Sequence, residues 1–135
     1  MNGMQAVTDL AVFLAKHTSY KVFKYEKSPS FSGEYLVVNS LPFAYGSSLN
    51  GNGTLNVNIH VPDLVGGLAD TKRASEIINE VCLLIPNEAV TEEGKALEIN
   101  GAYYAIASDS NLMADEDNTH FINLKINVLF NELNQ

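Results

Sequence analysis

Three histidines, one cysteine and an acidic run are the side chains of this sequence with chemistry to offer. A metal ion needs imidazole, thiolate or carboxylate groups that converge, usually at short recurring spacings. His17, His60 and His120 have no neighbouring His, Cys or Glu at such a spacing. His60 and His120 each sit beside an apolar strand face and could meet across a sheet; a surface or half-buried strand histidine is the favoured reading. Cys82 stands within an apolar helix pattern, which predicts a packed core thiol. A nucleophile would need an electropositive, accessible site. One cysteine also excludes an intrachain disulfide. Asp109, Asp115, Glu116 and Asp117 offer carboxylates for calcium, but the EF-hand spacing and its mid-loop glycine are missing. A solvated acidic loop is expected instead. Asn50-Gly51-Asn52-Gly53 precedes a strand, whereas a phosphate cradle needs helix N–H groups after its glycines. Glu93-Gly94-Lys95-Ala96 lacks the upstream glycine and the following Ser or Thr of a P-loop. The sequence therefore predicts no catalytic residue, no cofactor and no metal site, which shifts the expectation towards a structural or binding role.

These side chains must be positioned by a chain of 135 residues, enough for one domain with its own core. Apolar residues make up 46%, too many for a disordered chain. Charged residues make up only 18%, below the usual quarter. The formal charge of −8 argues against a broad grip on nucleic-acid phosphate, which needs clustered cations. It does not exclude a surface past which DNA slides. No apolar run reaches membrane-spanning length. The first residues show neither a basic region nor an apolar signal core, so a reducing cytoplasm is the expected compartment.

Apolar periodicity supplies the elements. Val7, Leu10, Ala11 and Leu14 recur at helical spacing and predict a helix over 4–17. Strands are predicted over 20–27 and 34–41, with Pro42 stopping the second. The glycine-rich stretch 44–53 is read as a long hairpin tip or a flexible arm, with no part in the core. Leu55, Val57, Ile59 and Val61 alternate with Asn56, Asn58 and His60, the cleanest strand pattern in the chain. Asp70 is placed to cap a helix whose stripe is Ala74, Ile77, Ile78, Val81 and Ile85, with Pro86 ending it. Further strands are predicted over 96–99, 102–108 and 120–131. In the last, Leu124, Ile126 and Val128 alternate with polar residues. Hairpin-length links imply a mostly antiparallel sheet with two helices packed on one face, an α+β domain. Asn56, Asn58, Asn123, Asn127 and Asn131 then line a polar sheet face. Neutral polar groups cost less to dehydrate than charges, so that face could meet another subunit.

The order of elements, with the strand Leu55-Asn56-Val57-Asn58-Ile59-His60-Val61-Pro62 and the helix opening Asp70-Thr71-Lys72-Arg73-Ala74, resembles the tail-terminator or tail-completion proteins of long-tailed bacteriophages and prophages. The resemblance spans residues from about Gln5 to Leu133. It implies a ring of subunits, commonly six, that caps the head-proximal end of the tail tube and joins it to the head connector. It implies tail-tube and head-connector partners, DNA passing nearby without specific binding, and no membrane. It places the protein in the host cytoplasm during assembly and then in the virion tail. Subunit or tube contacts are expected at Tyr45, Leu49, Asn50, Asn52, Asn56 and Asn58. Asp115, Glu116 and Asp117 are expected to face the channel or solvent. The alternative is a non-catalytic bacterial α+β module binding a small molecule or peptide, marked by a convergent pocket.

Overall fold

A computed structural model describes residues 1–45, 50–87 and 96–131. Helix α1 (Gly3–His17) opens with a reciprocal cap: Asn2 accepts from the Gln5 amide, and the Gln5 side chain accepts from the Asn2 amide. Strands β1 (Lys21–Lys24), β2 (Tyr35–Ser40), β3 (Ala44–Tyr45) and β4 (Asn50–Pro62) follow. Helix α2 (Thr71–Leu84) starts where the Asp70 carboxylate accepts from the Arg73 amide at 3.1 Å. Strands β5 (Leu97–Ile99), β6 (Ala102–Asp109), β7 (Met113–Asp115) and β8 (Thr119–Asn131) complete the chain.

The sheet runs β1-β2-β4-β8-β6-β5, with β3 paired to β4 and β7 to β8. The long strands β4 and β8 form its spine, paired antiparallel from Asn50↔Asn131 to Pro62↔Thr119. All named pairs are antiparallel except β1–β2. The expectation of a hairpin there fails, because the link 25–34 is long enough to carry the chain back to its starting edge. Phe31 in that link packs edge-on against Phe23 and Tyr35, with ring centroids 5.4 and 5.9 Å away.

Period-two alternation sends Leu36, Val38, Leu55, Val57, Ile59, Val61, Tyr104, Leu124, Ile126, Val128 and Phe130 to one face, where α1 and α2 cover them. Of the apolar residues expected on the α2 stripe and in the alternations of β4 and β8, Ile78 alone is only partly buried. Arg73 anchors α2 to the start of β2: its guanidinium meets both oxygens of Glu34, at 2.5 and 3.0 Å, and the Tyr20 hydroxyl at 3.1 Å. No helix among the described residues is long and apolar enough to cross a membrane.

Two expectations are corrected. Cys82 is exposed, because its helical position lies off the Ala74–Ile77–Val81 stripe. The strand predicted over 20–27 ends at Lys24, where Tyr25 turns to a positive φ of 69°. Of the stretch 44–53, Ala44 and Tyr45 pair with Asn52 and Gly51, as the hairpin reading expects, and none of its described side chains is buried in the core. At Gly53 a Cβ would stand 2.2 Å from the Phe43 ring, which stacks on buried Phe130. Only glycine admits that ring.

Candidate functional site

The sheet face opposite the helices is built from the other half of each alternation. Cross-strand register sets it out in rows. Tyr35, His60 and Phe121 form one row over β2, β4 and β8. Val37, Asn58 and Asn123 form the next, then Asn39, Asn56 and Lys125. Near the far end, Asn52, Leu129 and Tyr103 line up over β4, β8 and β6.

In the first row the His60 ring is stacked between two aromatics. Tyr35 lies 4.4 Å away at 8° and Phe121 lies 5.1 Å away at 21°. His60 is only 8% exposed, deeper than the half-buried position expected. His120 points to the helix side, since its register partner is Val61, so the two histidines do not meet. It pairs with Asp63 at 2.6 Å instead. Asp115 was expected in a solvated loop. It belongs to β7, and its Oδ2 stands 3.3 Å from His60 Nδ1. That approach is poorly directed, and Nδ1 has no hydrogen-bond partner among the described residues. Burial, the dominant influence, pushes the His60 pKa below the usual imidazole value, with Lys27 adding to it and Asp115 opposing. Burial likewise raises the Tyr35 phenol, helped by the charges of Asp115 and Asp117.

This end forms an open recess of about 280 Å³ lined by Tyr25, Lys27, Tyr35, His60 and the Asp115–Asp117 carboxylates, among others. A larger recess of about 520 Å³ lies beside the N-terminus of α1, but Asp9 is its one charged side chain. The smaller recess is the candidate site, because a buried titratable group and several charges converge there.

The asparagines beyond His60 are interlocked. Asn56 donates to Asn39 at 2.8 Å, and Asn123 donates to Asn58 at 2.8 Å and to Asn56 at 3.1 Å. Lys125 adds a donor to Asn56 at 3.2 Å. Asn56 and Asn58 are thus half-buried members of a ladder, while Asn52 is exposed beside Leu129. Tyr45 and Asn50 contribute backbone to β3 and β4, and Leu49 falls outside the described residues. Glu116 and Asp117 are exposed in the β7–β8 turn. Asp117, with Asn118, takes a positive φ there.

Sequence reading missed two surfaces. Leu64, Val65 and Leu68 form an apolar knob on the turn after β4, with Val65 fully exposed. The knob is closed by Leu64 N–H donating to the Leu68 carbonyl at 2.8 Å. The Gly66-Gly67 pair marked a loop, yet the three apolar residues flanking it were signal enough for an exposed patch. At the other end of the sheet, Tyr103 and Leu129 face each other half exposed.

Among the described residues, no group of three or more His, Cys, Asp or Glu side chains is arranged to hold a metal ion. No protein-family model matches the sequence. No curated protein matches it either. The fold is similar to a solved protein structure that is 18% identical, with a TM-score of 0.57 over 93% of this chain and 91% of the other. At that identity the likeness shows a shared fold.

Proposed function

We propose that this protein is a non-catalytic structural subunit that assembles head to tail into a ring, in the manner of a phage or prophage tail terminator. The observation that carries this reading is the pairing of two exposed apolar surfaces at opposite ends of the sheet. The knob, Leu64, Val65 and Leu68, follows the Pro62 end of β4. The patch, Tyr103 and Leu129 with Asn52 and Asn127, lies by the other end. Asn52 and Pro62 are separated by roughly 33 Å along one strand.

Two different surfaces so placed suit a heterologous contact, which closes into a ring when the rotation allows. A chain of charge −8 repels its own copies, so a contact between copies belongs where apolar side chains outnumber charges; Glu98 beside Tyr103 borders the patch, and the Asp63 carboxylate at the base of the knob is paired with His120. The knob is also fixed for docking. Asp63 at its base pairs with His120, and the Asp63 amide donates to the Asn118 carbonyl at 2.8 Å. The acidic turn, Asp115 to Asp117, stays outside this contact and faces solvent or a channel through which DNA passes unbound. Tail-tube and head-connector proteins are the partners of such a ring.

Light scattering over a concentration series tests the reading. Val65→Asp and Leu129→Asp should each be monomeric where the parent protein assembles. An equimolar mixture should form a heterodimer, because one intact knob still meets one intact patch. Failure of the mixture to associate would rule out the knob-to-patch contact. Electron microscopy of the concentrated parent protein distinguishes a closed ring from an open filament, and addition to a polymerising tail-tube protein tests capping.

A further inference from the structure

His60 has an edge that nothing in the fold completes. Its ring is held on one face by Tyr35 and on the other by Phe121, so it cannot turn to find a partner elsewhere. Its Nδ1 is buried and unpartnered among the described residues, with the Asp115 carboxylate 3.3 Å away and badly directed. Leaving such an atom unsatisfied carries the full cost of its desolvation. Desolvation favours the neutral imidazole, and with its proton on Nε2 the Nδ1 atom is an acceptor. In that tautomer a carboxylate and an imidazole lone pair stand side by side, two acceptors that converge on a missing donor; a proton on Nδ1 would instead face Asp115.

We propose that this recess binds a primary ammonium or guanidinium group, held between the Asp115 carboxylate and His60 Nδ1. The charge of the recess agrees. Glu26, Asp115, Glu116 and Asp117 line it against a single basic residue, Lys27. The Lys27 ammonium already donates to the carbonyls of Phe31 and Ser28, at 3.2 and 3.5 Å. Tyr25, half exposed at the mouth, is held at a positive φ that an L-residue adopts at a cost. Its ring is available to a cation. An ammonium or guanidinium supplies several N–H donors on one charged centre, whereas a hydroxyl supplies one. The recess, about 280 Å³, suits a side chain or small amine rather than a large cofactor. It lies at the opposite end of β8 from the Tyr103–Leu129 patch, so binding and self-association are measured separately and either can fail alone.

The probes are methylguanidinium and butylammonium, with methylurea as the neutral control and N-acetyl-arginine amide as a peptide-like source. NMR titration at low salt and pH 7.5 should give saturable shifts at the His60 and Tyr35 side chains with the cations and none with methylurea. Asp115→Asn removes a charge from an exposed carboxylate without touching the core, and should weaken binding about tenfold or more. His60→Phe keeps the stack and removes the acceptor, and should weaken binding several-fold with the fold intact. Tighter binding of the arginine amide than of methylguanidinium identifies a basic peptide as the source; equal binding identifies a free amine or guanidine. Equal shifts with methylurea, no saturation by any cation, or an unchanged affinity in Asp115→Asn would overturn the proposal.

Discussion

The helix-free face of the sheet has two ends that differ in everything except the strands that make them. At the His60 end the link 25–34 folds over the sheet. Phe31 closes on Phe23 and Tyr35, and Tyr35 and Val37 are as buried as core residues. At the Leu129 end no described element covers the face, and Tyr103 and Leu129 remain half exposed. Charge divides the ends in the same sense: several carboxylates crowd the first, and the second has Glu98 beside Tyr103. The asparagine ladder separates them, with its amides satisfied by one another. A strand's alternation decides that a side chain faces away from the helices. Whether it then becomes a small second core, a polar ladder or a bare patch depends on what the rest of the chain lays over it.

The comparison breaks most completely at the strand the two ends share. Ile59 lies directly between the helices and the His60 row and is fully buried. Ile59→Ala should cost about 3 kcal/mol, from lost burial and a residual cavity. Urea denaturation checks this, and an unchanged midpoint would mean that Ile59 is not packed as described. A smaller effect should come from the bare end alone. Gly53→Ala drives a Cβ into the Phe43 ring and should cost about 1–3 kcal/mol by displacing Phe43 from Phe130. Its signature is loss of the Phe43–Phe130 stacking shifts in NMR while the His60 row is undisturbed.

The smallest effect belongs to the aromatic end and appears only in acid. In the folded protein His60 resists protonation more than the same side chain does in the unfolded chain, where its pKa is about 6.5. Charged groups facing it are Asp115 from β7, Lys27 from the β1–β2 link, and the nearby Glu26, Glu116 and Asp117. As pH falls through the unfolded value, the unfolded chain takes up a proton that the native state refuses. This contribution to stability is therefore full above about pH 6.5 and declines below it, levelling once the native imidazole also protonates. His60→Phe should show a shallower loss of denaturation midpoint between pH 7.5 and 5 than the parent protein. An identical pH profile would mean that His60 is not held neutral.

Much of this molecule was legible in its residues because the signals were local. Helix α1, the Asp70 cap of α2 and the alternation of β4 and β8 depend on spacings within a dozen residues, and each stands where the pattern put it. The misses share a cause. β3 and β7 are two and three residues long, too short for periodicity, and exist because β4 and β8 offer them partners. The parallel pairing of β1 required knowing how the link 25–34 runs, which its turn-forming residues leave open.

The same division holds for the candidate sites. The sequence alone determined that the chain is acidic, that its asparagines share a strand face, and that its fold is α+β. Period and composition fix those properties without reference to distant residues. Tertiary structure decided that His60 is clamped between Tyr35 and Phe121, that Asp115 reaches it from 55 residues away, and that Leu129 stays uncovered. The physical reason is that burial and electrostatic contact arise from neighbours across strands. Register, set by the whole sheet, chooses those neighbours.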